Sequence, residues 1–454
     1  MPEHTVAAIS TPKGEGGISV IRISGDEAIS IADKCFISVS GRRLCDLKGY
    51  SAAFGNAVNR GGKAIDEAVA LVFRAPKSYT GEDVVEISVH GGIVPARECL
   101  KAVFHAGAYP AGAGEFTKRA FLNGKIDLAK AESIMEIIGA RSAAALDIAM
   151  SAKEGRISRD IESITEKMLF TASNLAAYSD FPDEDIEGLD SENFSIMLAE
   201  CESALDKLIS TFESGQAILS GVPTAIVGKP NVGKSTLMNA LSREERSIVT
   251  DRAGTTRDIV ETTVFAGDVT LILSDTAGIR DTADEVEKIG VDRAIKKLKN
   301  SALVLAVFDV SAPFDSEDLR IISEIKDKRC IAVLNKSDLA PAANIEALKG
   351  IVAVPVSAKS GEGIDKLIKQ IEKICGTDKL GAEDTVLLNE RQYSCALRAK
   401  NAVSEAKSAL VSGVTLDAVT VLIDDALNAL LELSGKRAKD DVVEEIFKNF
   451  CIGK

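Results

Sequence analysis

The sequence predicts a multidomain protein of α/β plus α class, in which one α/β domain interrupts a helical domain and a separate α/β domain precedes both. Three observations support this reading. Short β-rich runs alternate with helical ones at the amino-terminal end; the apolar residues then change to helical spacing; and between about Gly221 and Gly376 strands and helices alternate again before the helical texture returns. A chain of 454 residues can bury several cores of ordinary size. The predicted segments are 1–122 (α/β), 123–218 (helical, first part), 219–377 (inserted α/β) and 378–454 (helical, second part). Such an insertion requires entry and exit points that lie close together.

In the first segment the strand-like runs are ISVIRIS from Ile18, EAVALVF from Glu67 and DVVEISV from Asp83, followed by a helical stretch over 93–106. In the second, Ile157, Ile161, Ile164 and Met168 step by four, three and four, as do Leu198, Cys201, Leu205, Leu208 and Phe212. That spacing paints one apolar stripe on each helix, and such stripes must pack on one another. The acidic run YSDFPDEDIEGLDS reads as a loop ending near an N-cap, Asp190 or Ser191. The final segment carries stripes through Leu422, Ala426, Leu430 and Leu433, and through Val443, Ile446, Phe447 and Phe450.

Composition removes several classes. A net charge of −14 argues against a broad basic face, so any RNA contact should be local or shared with a partner. Aromatic content of 4% with no Trp argues against a stacking platform for single-stranded bases. The eight cysteines, Cys35 to Cys451, form no C-x-x-C pair, which points away from zinc and disulfide frameworks. The apolar run ALVLAVF from Ala302 is too short to cross a bilayer, and the opening MPEHTVAAIS has no basic-then-apolar signal. A cytoplasmic location is expected.

The decisive motif is GKPNVGKS, Gly228 to Ser235, placed between a strand-like TAIVG and a helix-like STLMNALS. Its glycines let main-chain N–H groups turn inward around a β-phosphate, at the positive end of a helix. Asn231, Val232, Gly233, Lys234, Ser235 and Thr236 are the expected contacts. Lys234 reaches the β- and γ-phosphates, and the Ser235 hydroxyl ligates Mg²⁺. DTAG (Asp275, Thr276, Ala277, Gly278) follows the apolar VTLILS; Asp275 holds Mg²⁺ through water and the Gly278 N–H meets the γ-phosphate. Between these lies TDRAGTTRD, whose Thr250, Asp251, Arg252, Ala253, Gly254, Thr255 and Thr256 border the nucleotide, with Thr256 completing the Mg²⁺ shell. NKSD supplies Asn335, Lys336 and Asp338, whose carboxylate accepts from guanine N1–H and its 2-amino group together, donors that adenine lacks. SAK (Ser357, Ala358, Lys359) completes the base pocket. Five such motifs in order imply a Ras-like P-loop GTPase domain. The residue after Gly278 is Ile279, which cannot orient water; Asp281, Asp284, Glu285 and Glu287 are the acidic alternatives nearby.

GKPNVGKST, TDRAGTTRD, DTAGIR, DEVEKIG, NKSD and the terminal FCIGK together resemble the MnmE (TrmE) family of tRNA wobble-uridine modification GTPases. RISG, YTGEDVVEISVHGG, EFTKRAFLNGKIDLAKAE and FPDEDI extend the resemblance over the whole chain. It implies a homodimer with an amino-terminal tetrahydrofolate-binding domain. With a flavoprotein partner, MnmG, in a heterotetramer or larger assembly, the family adds an aminomethyl or carboxymethylaminomethyl group to C5 of the tRNA wobble uridine (U34). The one-carbon donor is a tetrahydrofolate derivative, in the 5-formyl or 5,10-methylene form. The resemblance also implies activation by K⁺ bound by Asn231, Thr250, Arg252 and Thr255, beside the β–γ bridge where a cation offsets developing charge. Glu287 maps onto the water-orienting acid.

For folate, the matching positions are Arg22, Glu86, Lys125 and the terminal Lys454; Arg and Lys suit a glutamate tail, and Glu can accept from pterin N–H groups. From the residues alone, Arg22 and Glu86 could equally be a cross-strand ion pair. Cys451 is a candidate assisting thiol, although a lone Cys is more often a packed one. Lys296, Lys297 and Lys299 read as a solvated helix face rather than a tRNA contact. The competing reading is a regulatory or ribosome-assembly GTPase switch. Such proteins typically add an RNA-binding module after the GTPase domain, whereas this tail is acidic and helical.

Overall fold

The computed structural model describes residues 4–12, 14–180, 191–244, 262–273, 301–381, 383–437 and 440–454. It divides into two compact units, one of Met1–Met135, Ile161–Pro182 and Leu416–Lys454, the other of Glu136–Asp160 and Asp183–Thr415.

The first unit is built on a seven-stranded sheet. Its strands are β1 (Val6–Ile9), β2 (Ile18–Ser24), β3 (Phe36–Ser38), β4 (Ser51–Val58), β5 (Ala64–Phe73), β6 (Val84–His90) and β7 (Tyr109–Pro110), in the order β3-β4-β5-β6-β2-β1-β7. Alternation decides the faces. Ile21, Ile23, Ala70, Val72, Val85 and Ile87 point to one side and share a core with Ile29, Ile31, Cys99 and Val103 of helices Ala28–Cys35 and Ile93–His105. Full burial of each Ile is worth about 1.5–3 kcal/mol. A one-residue slip of β2 against β6 would exchange those residues for Arg22 and Glu86, so the register Arg22↔Glu86 is strongly specified.

The sequence patterns predict β2, β5, β6 and helix Ile93–His105; β1, β3, β4 and helix Ala28–Cys35 were not predicted, and two further elements depart from the expectation. Helix Glu115–Leu122 begins before the expected change of texture, and the short edge strand β7 pairs with β1. The stripe of helix Asp440–Lys448 is as expected: Val443, Phe447 and Phe450 pack with Leu128 and Ala131, next to Phe121. The approach is close at Gly114, whose φ is +60° and where a Cβ would lie 2.7 Å from that of Phe450. In helix Leu416–Ser434 the buried line runs through Val419, Ile423, Ala426, Leu430 and Leu433, with Leu422 only half-buried at its edge.

The second unit holds a six-stranded sheet of β8 (Val222–Val227), β9 (Thr262–Ala266), β10 (Val269–Leu273), β11 (Leu303–Asp309), β12 (Cys330–Asn335) and β13 (Val352–Val356). The order is β13-β12-β11-β8-β10-β9, and every pairing is parallel except β10 with β9. β11 and β12 are buried almost end to end, as a parallel sheet covered on both faces demands. Helices Lys234–Glu244 and Ile364–Cys375 cover one face through Leu237, Leu241, Leu367 and Ile371. Helix Ser316–Ile325 covers the other through Ile321, Ile322 and Ile325.

Helices Ser191–Ser210 and Glu390–Val411 of this unit pack along each other, tied by Lys407–Glu202 and Lys400–Asp206 at 2.6 Å each. The stripe from Leu198 to Phe212 is buried throughout, but Phe212 opens a separate helix, Phe212–Leu219. The break falls at Thr211, whose hydroxyl donates to the carbonyls of Leu208 and Thr385. Helix Arg156–Asp180, which from Ile161 onward belongs to the first unit, carries Ile157, Ile161, Ile164 and Met168 in its buried line and runs on through Tyr178, further than the sequence suggested. Entry to and exit from the sheet region meet: Gln216 Nε2 donates to the Leu388 carbonyl at 2.8 Å. Among the described residues no helix is long and apolar enough to cross a membrane.

Candidate functional site

Three of the predicted motifs converge at the carboxyl ends of the parallel strands of the six-stranded sheet: Gly228–Ser235 after β8, Asn335–Asp338 at the end of β12 and Ser357–Lys359 after β13. β8 lies between β10 and β11, where strand order reverses direction, which is where open α/β sheets take ligands.

The loop from Gly228 to Gly233 cannot be built with other residues at its ends. Gly228 has φ +152°, and a Cβ there would strike the Val307 carbonyl oxygen; Gly233 has φ +98°, and a Cβ would strike the Asn335 amide. Asn231 is a non-glycine residue at φ +63°, a conformation Asn tolerates better than most. The loop thus leads straight into helix Lys234–Glu244, with the side chains of Asn231, Ser235 and Thr236 exposed and Val232 buried. The Lys234 ammonium donates to the carbonyls of Gly228 at 2.8 Å and Lys229 at 2.6 Å. Burial pulls it below the ordinary lysine range.

Asn335 joins the three loops. It is 3% exposed; its Nδ2 donates to the Val232 carbonyl at 2.7 Å and its Oδ1 accepts the Ala358 N–H at 3.0 Å. Beside the base-binding role expected from its motif, its position makes Asn335 a strut between the phosphate loop and the Ser357–Lys359 loop. Lys336, at φ +63°, places its ammonium 2.5 Å from Asp309 Oδ2 at the end of β11. Burial favours the neutral acid at Asp309, but the Lys336 and Ser311 hydrogen bonds outweigh it and hold the carboxyl below its usual range. Asp338 and Lys359 are exposed, and Ser357 is fully buried. Glycines with no Cβ to collide with Val307 and Asn335, a half-buried lysine and a helix amino terminus fit a phosphate chain, and the Ser235 hydroxyl could ligate Mg²⁺. Thr250, Asp251, Arg252, Ala253, Gly254, Thr255, Thr256, Asp275, Thr276, Ala277, Gly278 and Glu287 lie outside the described residues, as do Lys296, Lys297 and Lys299.

In the first unit, Arg22 and Glu86 meet across β2 and β6, with Arg22 Nε and Nη2 each 2.8 Å from Glu86 Oε1. The cross-strand ion pair is therefore present. It does not stand alone, since Arg22 Nη1 donates to the Gly453 carbonyl at 3.4 Å. The chain end is docked beside it: Gly114 N–H donates to the Cys451 carbonyl at 3.3 Å, Ala113 bridges Ile452, and Phe116 N–H donates to the Lys454 carbonyl at 3.0 Å. Gly453 has φ +97°, and a Cβ would strike the Ile9 carbonyl oxygen and lie 2.9 Å from Ser10 Cα. Cys451 is exposed and free. Lys125 donates to the carbonyls of Pro76 at 3.0 Å and Ser78 at 2.6 Å, so it holds the loop leading to Tyr79. Sequence reading missed Tyr79 and Phe116, whose rings lie 5.2 and 5.5 Å from the Arg22 guanidinium. Tyr79 sits inside the YTGED run, so that run was the available signal.

Sheet order, glycine cradle and Asn335 strut define a P-loop nucleotide-binding protein. Comparison with known proteins narrows this class. Residues 128–451 match the family model described as the MnmE helical domain, and residues 5–125 match that of the GTP-binding protein TrmE N-terminus. The chain is 41% identical to the tRNA modification GTPase MnmE of Syntrophomonas wolfei over 99% of both chains. It is 39% identical to that of Alkaliphilus oremlandii over 100% of this chain and 99% of the relative. A solved structure of Aquifex aeolicus Era bound to GDP and aluminium fluoride covers 40% of this chain and 66% of its own, at 29% identity and a TM-score of 0.26. The chain belongs to the MnmE family of tRNA modification GTPases.

Proposed function

We propose that this protein hydrolyses GTP with Mg²⁺ and K⁺ and, as a homodimer with the flavoprotein MnmG, adds an aminomethyl or carboxymethylaminomethyl group to C5 of the tRNA wobble uridine. A tetrahydrofolate derivative supplies the carbon. Family membership over nearly the whole chain supports the GTPase and tRNA parts. The four-segment domain division is part of the same reading, with two separate sheets and adjoining entry and exit points in its favour.

The observation that carries the folate part is the docking of Cys451–Lys454 beside the end of β1, against Arg22 of β2 and next to Phe116. Chain ends are usually dispensable unless something ties them down. In this reading Arg22, Glu86, Lys125 and Lys454 hold folate, Asn231, Thr250, Arg252 and Thr255 hold K⁺, Ser235 and Thr256 hold Mg²⁺, and Glu287 orients water. Cys451, in the docked chain end, is the candidate assisting thiol.

The test is truncation before Cys451, with the variant compared to the full chain in folate titration, GTPase rate and wobble-uridine mass spectrometry of tRNA from complemented deletion strains. Loss of folate binding and modification with normal GTPase activity is expected. Normal modification by the truncated protein would defeat the assignment, and unmodified-wobble status unchanged by deletion of the whole gene would favour the GTPase-switch reading.

A further inference from the structure

Lys229, the second residue of the phosphate loop, connects that loop to a buried acid on another element. Its ammonium lies 2.7 Å from Asp315 Oδ2 and 2.6 Å from Asp318 Oδ2. These carboxylates form the capping box of helix Ser316–Ile325. Asp315 Oδ1 accepts the N–H groups of Glu317 and Asp318, and Asp318 Oδ2 accepts that of Asp315. Asp318 is 2% exposed, and its Oδ1 has no hydrogen-bond partner. A buried carboxylate in that position needs a nearby cation. Burial disfavours charge on Lys229, yet the bonds to the two aspartates outweigh it and hold the ammonium above the ordinary lysine range. The main-chain carbonyl of the same Lys229 accepts from the Lys234 ammonium.

We propose that Lys229 is a positioning residue of the nucleotide site: anchored by Asp315 and Asp318, it fixes the carbonyls of residues 228 and 229 and so aims the Lys234 ammonium. The inference rests on the nucleotide-site reading above. Gly228, at φ +152°, gives the loop little stiffness of its own, so the anchor must come from outside it. Lys234 reaches the β-phosphate, which GDP and GTP share, and in GTP the γ-phosphate as well, contacts made on binding before any bond breaks. Loss of the anchor therefore weakens both nucleotides rather than slowing the chemical step, because it removes an interaction common to ground and transition states.

The experiment uses the full chain and measures equilibrium binding of fluorescent GDP and GTP analogues together with steady-state hydrolysis. Lys229→Met should weaken both nucleotides about ten-fold and raise KM in step, with kcat changed by less than about two-fold. Lys229→Arg, which keeps the charge, should bind within about three-fold of wild type. Equal affinity in wild type and Lys229→Met would overturn the proposal, and so would a lowered thermal midpoint with KM unchanged, the signature of a purely structural pair. Should Lys229→Met fail to fold, Asp315→Asn carries the same test. Asn keeps an N-cap oxygen while removing one of the two charges, and about three-fold weaker binding of both nucleotides is expected; unchanged binding overturns the proposal. Wild type that binds neither nucleotide would strike the nucleotide-site reading itself.

Discussion

Replacing Gly453 with Ala tests whether the chain end is held as tightly as its contacts indicate. Gly453 has φ +97°, a conformation costing an ordinary L-residue about 1–2 kcal/mol or more, and its new Cβ would strike the Ile9 carbonyl oxygen. Against that stand the hydrogen bonds from Phe116 and Gly114 N–H groups and from Arg22, each worth about 0.5–1.5 kcal/mol net. Two of the three are long, at 3.3 and 3.4 Å, so the docking is worth about 2–3 kcal/mol in all. Strain and collision together exceed this, and the tail should lift rather than the domain unfold. Val443, Phe447 and Phe450 hold the preceding helix independently, so the thermal midpoint should fall by only a few degrees. The assay is amide hydrogen exchange at Phe116. Losing about 2 kcal/mol of local protection accelerates its exchange roughly thirty-fold, with the β2 and β6 amides unchanged. Exchange at Phe116 equal to wild type would refute the docking argument, and acceleration spread over the whole sheet would mean that the tail is part of the global fold.

Other expectations concern the reaction and one surface pair. GTP turnover in matched KCl and NaCl should differ by at least about ten-fold in favour of potassium, with rubidium partly substituting; equal rates would remove Asn231 from the proposed K⁺ shell. Glu287→Ala should lower kcat by at least about a hundred-fold while leaving GTP affinity nearly intact, and a large affinity loss would rule out its role with water. His90 Nδ1 lies 2.8 Å from Asp66 Oδ1, and that hydrogen bond raises the imidazole above its ordinary value. The pair's contribution to stability should therefore be complete below about pH 6.5 and fade as pH rises through the raised folded value. An NMR titration of His90 with an unshifted midpoint would contradict it, as would stability that grows with pH through this window.

The sequence by itself determined the class of the second unit and of its site. GKPNVGKS, NKSD and SAK are local patterns: the glycines, the lysine and the Asn lie within a few residues of strand ends, so chain order alone places them at the carboxyl ends of the parallel strands. The helical stripes were legible for the same reason, since period and burial are set by neighbours three and four residues apart. What crosses large sequence distances was decided only by the tertiary structure. Asn335 reads as a base-binding residue in its motif, and only packing shows that it braces Val232 and Ala358. Lys229 carries no expected role in its motif, and only the fold brings the two aspartates of helix Ser316–Ile325 and its cap to it. Arg22 and Glu86 left ion pair and ligand site both open; the resemblance grouped the terminal Lys454 with them, and the fold supplies the contact itself, the carbonyl of Gly453, 431 residues away in sequence, on the same guanidinium. Local patterning can specify a strand end or a helix face, but the meeting of two distant segments depends on the whole core that holds them, and no short window of sequence records it.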